Sequence, residues 1–138
     1  MKPVLLDTGV IVALLNGNEP YHFKSAEAIA TIRNPFVTCE AVITESCYML
    51  RKIPGAREKV LSNVAHGIFE LPFHLLDSAA NVEAIMEKYR DTPADFADAC
   101  LIHMADELDT GDILTLDSDF RHYRWRKTKP FNLLIPLA

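Results

Sequence analysis

The sequence predicts an α/β protein, a three-layer domain in which a central, mostly parallel sheet of about five short strands is flanked by helices. Three observations carry this. Short apolar runs alternate with segments of ten or more residues that have helical periodicity. The 138 residues suit one domain, taken as 1–138, and show no repeat and no linker of distinct composition. Apolar residues make up 49% and charged residues 24%, with 5 Gly and 8 Pro, which excludes a disordered or collagen-like chain.

The elements follow in order. Lys2–Leu6 is an apolar strand ending at Asp7, and Thr8 can cap a helix from Gly9 to Asn16. Pro20–Arg33 reads as a helix with apolar positions at Phe23, Ala26, Ile29, Ala30 and Ile32, stopped by Asn34-Pro35. Phe36–Thr38 is a second strand, and Ala41–Arg51 a helix broken by Ile53-Pro54-Gly55. Ala56–Ala65 is a further helix, and Ile68–Leu76 a third strand with an irregularity or edge at Pro72. Asp77-Ser78 cap a helix through Tyr89, and Arg90–Pro93 is a loop. Asp95–Leu108 is the clearest helix, Ile113–Leu116 a fourth strand and Asn132–Pro136 a fifth.

No apolar run approaches the roughly 20 residues of a membrane span, and Met1-Lys2-Pro3 leads straight into a strand with no export signal. The three cysteines, Cys39, Cys47 and Cys100, have apolar neighbours and no CxxC spacing. They read as buried thiols in a reducing compartment, and the cytoplasm is the expected location. The balance of 14 basic against 19 acidic residues gives −5, which by itself disfavours a polyanionic partner. Arg121, Arg124, Arg126, Lys127 and Lys129 nevertheless crowd into nine residues.

Ligands of a parallel sheet bind beyond the carboxyl ends of its strands. Asp7 ends the first strand, and Asp117 and Asp119 follow the fourth in ILTLDSDF. Asp7 or Asp117 alone would serve as a helix cap. Glu45 lies mid-helix near Val42, Cys47 and Met49, and Asp95 and Asp98 share a helix face. Asp98 stands among Phe96, Ala97, Ala99, Cys100, Leu101 and Ile102 with no Lys or Arg within a helical turn, so it needs a cation from elsewhere. Asp95, in the first turn, also suits the helix dipole. Acids converging on one cleft repel each other, a divalent cation removes that penalty, and oxygen ligands favour Mg²⁺ or Mn²⁺ over zinc. The five histidines are scattered, and neither a P-loop, a dinucleotide-binding G-x-G-x-x-G nor a G-x-S-x-G is present. Acid-held Mg²⁺ suits phosphodiester chemistry. With Asp7, Glu45, Asp98 and Asp117 neutralised by metal, 15 acids face 14 bases, and a nucleic-acid partner becomes admissible.

The order of Asp in L-L-D-T, Glu in I-T-E-S, the A-D-x-A-D-A-C-L run and L-T-L-D-S-D-F resembles a PIN domain, and more narrowly the VapC-type toxin ribonucleases of toxin–antitoxin pairs. The resemblance spans essentially the whole chain. It implies a metal-dependent endoribonuclease that cleaves single-stranded RNA, with Mg²⁺ or Mn²⁺ as cofactor. It further implies a homodimer and a small antitoxin that blocks the cleft. The family's four acids fall on Asp7, Glu45, Asp98 and Asp117, with Asp119 and Asp95 as extra or alternative ligands and Thr8 as a contact to the metal's water. On this reading a cation on Asp7, Asp98 and Asp117 activates water for in-line attack on phosphorus, with Glu45 assisting directly or through water. Arg121, Arg124, Arg126 and Lys127 are a candidate RNA-binding edge on which Tyr123 and Trp125 could stack bases; otherwise the segment is solvated with its aromatics packed inward. A catalytically silent module of the same fold is the alternative, opposed by the presence of all four acids. A phospho-signalling receiver domain, suggested by Lys129-Pro130-Phe131, lacks the paired acids after the first strand and the acceptor Asp after a central one.

Overall fold

The computed structural model describes residues 1–92 and 94–137; Pro93, assigned above to a loop, lies outside them. Five strands form the main sheet: β1 (Val4–Leu6), β2 (Phe36–Val37), β3 (Phe69–Glu70), β4 (Asp112–Leu114) and β7 (Asn132–Leu133), in the order β3-β2-β1-β4-β7. All four pairings are parallel, with Leu5 opposite Val37 on one side and Ile113 on the other. Every residue of β1 is buried, as a central strand covered on both faces requires.

Among the described residues, six helices supply the covering: α1 (Thr8–Leu15), α2 (His22–Thr31), α3 (Glu40–Met49), α4 (Ala56–Ala65), α5 (Leu75–Lys88) and α6 (Phe96–Leu108). The chain steps from β1 to β2 to β3, then crosses back over the sheet to β4. Right-handed crossovers in these two directions place α1–α4 on one face and α5–α6 on the other. The reversal falls between β1 and β4, and it opens a crevice at their carboxyl ends. Leu5, Leu6, Ile11, Leu101, Ile113 and Leu114 form the centre of the core. Cys39, Cys47 and Cys100 are free thiols. Among the described residues, no helix is long and apolar enough to cross a membrane.

Several local expectations give way. Asp7, not Thr8, caps α1, because its carboxylate accepts the Thr8 N–H at 2.8 Å. The third strand is only Phe69–Glu70; the chain enters α5 at Leu75, with His74 at the cap position and Asp77 inside the first turn. The 3₁₀ turn Ser118–Arg121 and an antiparallel hairpin of β5 (Arg124–Trp125) and β6 (Lys129–Pro130) occupy the basic segment that the periodicity left unassigned. Arg126 and Lys127 turn that hairpin at φ 45° and 68°, in the left-handed region where neither residue is at ease. Asp106 accepts the Arg126 N–H and Asp109 pairs with its guanidinium at 2.9 Å, which holds the turn in place.

Candidate metal centre

Each acid of the crevice is placed by backbone geometry that its own side chain helps to form. Asp7 leaves β1 as the cap of α1: Oδ1 accepts the Thr8 N–H, and Oδ2 accepts the Thr115 hydroxyl at 2.7 Å. The same Thr115 oxygen accepts the Asp117 N–H at 3.0 Å, so one side chain ties the two strand-end acids together. Asp117 caps the 3₁₀ turn through Oδ1, which accepts the Asp119 N–H at 2.9 Å. Asp98 is the third residue of α6 and forms a capping box with Asp95. Asp95 Oδ1 accepts the Asp98 N–H at 2.8 Å, and Asp98 Oδ2 accepts the Asp95 N–H at 3.3 Å. The Tyr123 hydroxyl donates to Asp98 Oδ2 at 3.4 Å.

Asp7, Asp98 and Asp117 each present a carboxylate oxygen, and the three oxygens lie within 4.8 Å of one another. They line a cavity of about 260 Å³ together with Thr8, Glu45 and Asp95. Larger hollows lie along α5 and between α2 and the C-terminal segment, but the three-acid cluster is in neither. Asp7 and Asp98 are buried, Asp117 is half-buried, and Glu45 and Asp95 are exposed. Burial is the main force that pushes the Asp7 carboxyl up to about 6, against the opposing bonds from Thr115 and Thr8; Asp117 and Glu45 add repulsion. Burial, then the charges of Asp95 and Asp7, push Asp98 up to about 8. Carboxylates that resist ionising next to one another are what a divalent cation relieves, and oxygen donors suit a hard ion. The Thr8 hydroxyl, buried beside them, has no hydrogen-bond partner among the described residues, as expected of a group that serves a bound water or ligand oxygen. The residues present therefore fit a divalent cation.

The remaining candidates fall elsewhere. Asp119 sits on the 3₁₀ turn outside the three-acid cluster, where its carbonyl accepts the N–H groups of His122 and Tyr123. Arg121 donates to the Leu137 carbonyl, and Arg124 to the carbonyls of Arg121 and Tyr123. Arg126 and Lys127 project from the hairpin turn beside Asp109 at the far end of α6, roughly 16 Å along the helix axis from Asp98. Tyr123 and Trp125 are buried and pack on the body of the protein, so neither is free to stack on a base. Sequence reasoning missed Thr115. Its signal was a hydroxyl amid the apolar run Ile113–Leu116, where a polar group needs a partner.

The family model for the PIN domain matches residues 4–126. Ribonuclease VapC26 of Mycobacterium tuberculosis is 30% identical over 122 residues, which cover 87% of this chain and 89% of that protein. The crystal structure of Mycobacterium tuberculosis VapC20, a sarcin-ricin loop cleaving toxin, superimposes with a TM-score of 0.80 over 92% of this chain and 99% of that one, at 16% identity.

Proposed function

The chain belongs to the PIN-domain family, and from that premise we propose that it is a metal-dependent endoribonuclease acting on single-stranded RNA, the toxin of a toxin–antitoxin pair. The observation that carries the reading is the convergence of the Asp7, Asp98 and Asp117 oxygens beside the unpartnered Thr8 hydroxyl.

Asp7, Asp98 and Asp117 would hold one Mg²⁺ or Mn²⁺, with Glu45, at the mouth of the cavity, completing the ligand set directly or through water. When bound, such an ion neutralises charge developing on the phosphoryl oxygens and makes the attacking water more acidic. The chain's own part is placement. Thr115 fixes Asp7 relative to Asp117, the capping box fixes Asp98, and the Thr8 hydroxyl orients a water or phosphate oxygen. Because burial raises the Asp7 and Asp98 carboxyls, protons compete with a cation for these oxygens, and metal affinity should rise with pH.

Residues 1–138 act as one domain in the cytoplasm, where a small antitoxin covers the cleft. The protein works as a homodimer. Support for the dimer is the apolar groove along α5 and the start of α6, with Leu75, Leu76, Met86 and Phe96 all exposed. Cleavage of an RNA pool in EDTA, Mg²⁺ and Mn²⁺, run beside Asp7→Asn and Asp98→Asn, tests the activity. Metal-dependent cutting that both variants lose is expected; cutting that survives in both sinks the site assignment.

A further inference from the structure

Tyr123 is the largest fully buried side chain among the described residues, yet it is polar. A phenol in that position must donate its proton to a neighbour or forfeit a hydrogen bond that water would have made. Its one acceptor among the described residues is Asp98 Oδ2. The ring has little freedom to move elsewhere. Tyr89 packs on it edge-on at 5.1 Å, Phe120 stands perpendicular at 5.0 Å, and Phe131 braces Phe120 at 5.3 Å. The backbone is fixed as well, since the Asp119 carbonyl accepts the Tyr123 N–H at 3.2 Å inside the turn that Asp117 caps. The segment from Asp117 to Tyr123 thus leaves the crevice at one acid and returns to it at another.

We infer that Tyr123 is a positioning residue of the metal site: its caged hydroxyl holds Asp98 Oδ2 and so fixes the orientation in which Asp98 meets the cation. This rests on the proposed cation site. Of the three acids the hydroxyl hydrogen-bonds only to Asp98, so its influence runs through that residue. Hydrogen-bond partners behind a ligand set its direction and basicity, and losing one typically weakens metal binding by about 10- to 100-fold. The bond here is long, at 3.4 Å, and Asp98 Oδ2 keeps the Asp95 N–H, which places the effect at the lower end.

Tyr123→Phe removes only the hydroxyl and keeps the ring in its cage. Titration calorimetry of the full chain with Mn²⁺ should show affinity lowered about tenfold, with far-ultraviolet circular dichroism unchanged. RNA cleavage should fall at limiting Mn²⁺ and recover at saturating Mn²⁺. Tyr89→Phe is the control, because it loses a hydroxyl from the same cluster that accepts the Arg124 N–H and, among the described residues, bonds to no carboxylate. Its Mn²⁺ affinity should match wild type. Unchanged affinity in Tyr123→Phe, or an equal loss in Tyr89→Phe, overturns the inference. Wild-type protein that takes up no Mn²⁺ overturns the cation site and this inference together. Wild-type protein that binds Mn²⁺ but cuts no RNA overturns the nuclease reading alone, and the affinity difference between the two variants still decides the role of Tyr123.

Discussion

Replacing Asp98 with Asn should stabilise the metal-free protein while destroying its response to metal. The folded chain holds the Asp98 carboxyl at about 8, chiefly through burial, whereas the unfolded chain leaves it near the ordinary value of about 3.9. A group whose folded pKa is raised contributes stability that is complete below the unfolded value. That contribution is lost as pH climbs from about 4 through about 8, because the unfolded state releases its proton first. Each unit is worth about 1.4 kcal/mol, so a shift of roughly four units sets an upper bound of about 5–6 kcal/mol. Asp7 shares the same field and the crevice can relax toward water; we take about 2 kcal/mol as the measurable part, or about 6 °C in Tm for a chain of this length. The side-chain oxygen of Asn can still accept the Asp95 N–H and the Tyr123 hydroxyl, so the helix start survives. Calorimetric unfolding in EDTA at about pH 8.5 should therefore place Asp98→Asn above wild type, with the gap closing toward about pH 4. Saturating Mn²⁺ should reverse the order, since only wild type gains binding energy, about 2.7 kcal/mol at a hundredfold excess over Kd. A variant no more stable than wild type in EDTA at the upper pH would refute the claim that Asp98 is a buried, proton-holding carboxyl.

Three further outcomes are expected. Thr115→Val leaves Asp7 Oδ2 and the Asp117 N–H without their partner and should cost about 1–3 kcal/mol in chemical denaturation as well as most of the cleavage; Thr115→Ser, which keeps the hydroxyl, should restore both. Gly111→Ala drives a Cβ into the Trp125 indole, so it should displace the hairpin and lower stability by about 1–3 kcal/mol, read from Tm and from Trp fluorescence. Asp119→Asn should cleave RNA within a few-fold of wild type, whereas Asp117→Asn should not, a contrast that steady-state assays resolve.

The alternation of apolar runs and helical segments was sufficient to anticipate the parallel sheet, and the order of acids along the chain pointed to the crevice where Asp7, Asp98 and Asp117 meet. Legibility stopped where neighbouring residues offered equal chemistry. Asp117 and Asp119 are indistinguishable in D-S-D, and only the 3₁₀ turn separates them, because Asp117 accepts its cap from the Asp119 N–H. The hairpin at Arg124–Pro130 was hidden because its left-handed turn uses Arg126 and Lys127 where Gly or Asn would have announced it. Leu75 and Leu76 extend an apolar run that reads as strand, yet α5 starts there with no side-chain cap to mark the boundary. The sequence left open whether Tyr123 stacks on bases or packs inward, because nothing local betrays that Tyr89, 34 positions earlier, packs against it.

The capping box at the start of α6 makes Asp98 a participant in two equilibria at once. Helix ends fray, and the first turn of a helix is the segment that opens most readily. Unwinding of residues 95–98 would break the Asp95–Asp98 bonds and free the third acid from its place in the crevice. A cation held by Asp7, Asp98 and Asp117 would therefore act as a clip on the helix, and amide exchange at 96–99 would slow in step with metal concentration. On the proposed site, each opening of that turn would leave the ligand set incomplete until it closed again.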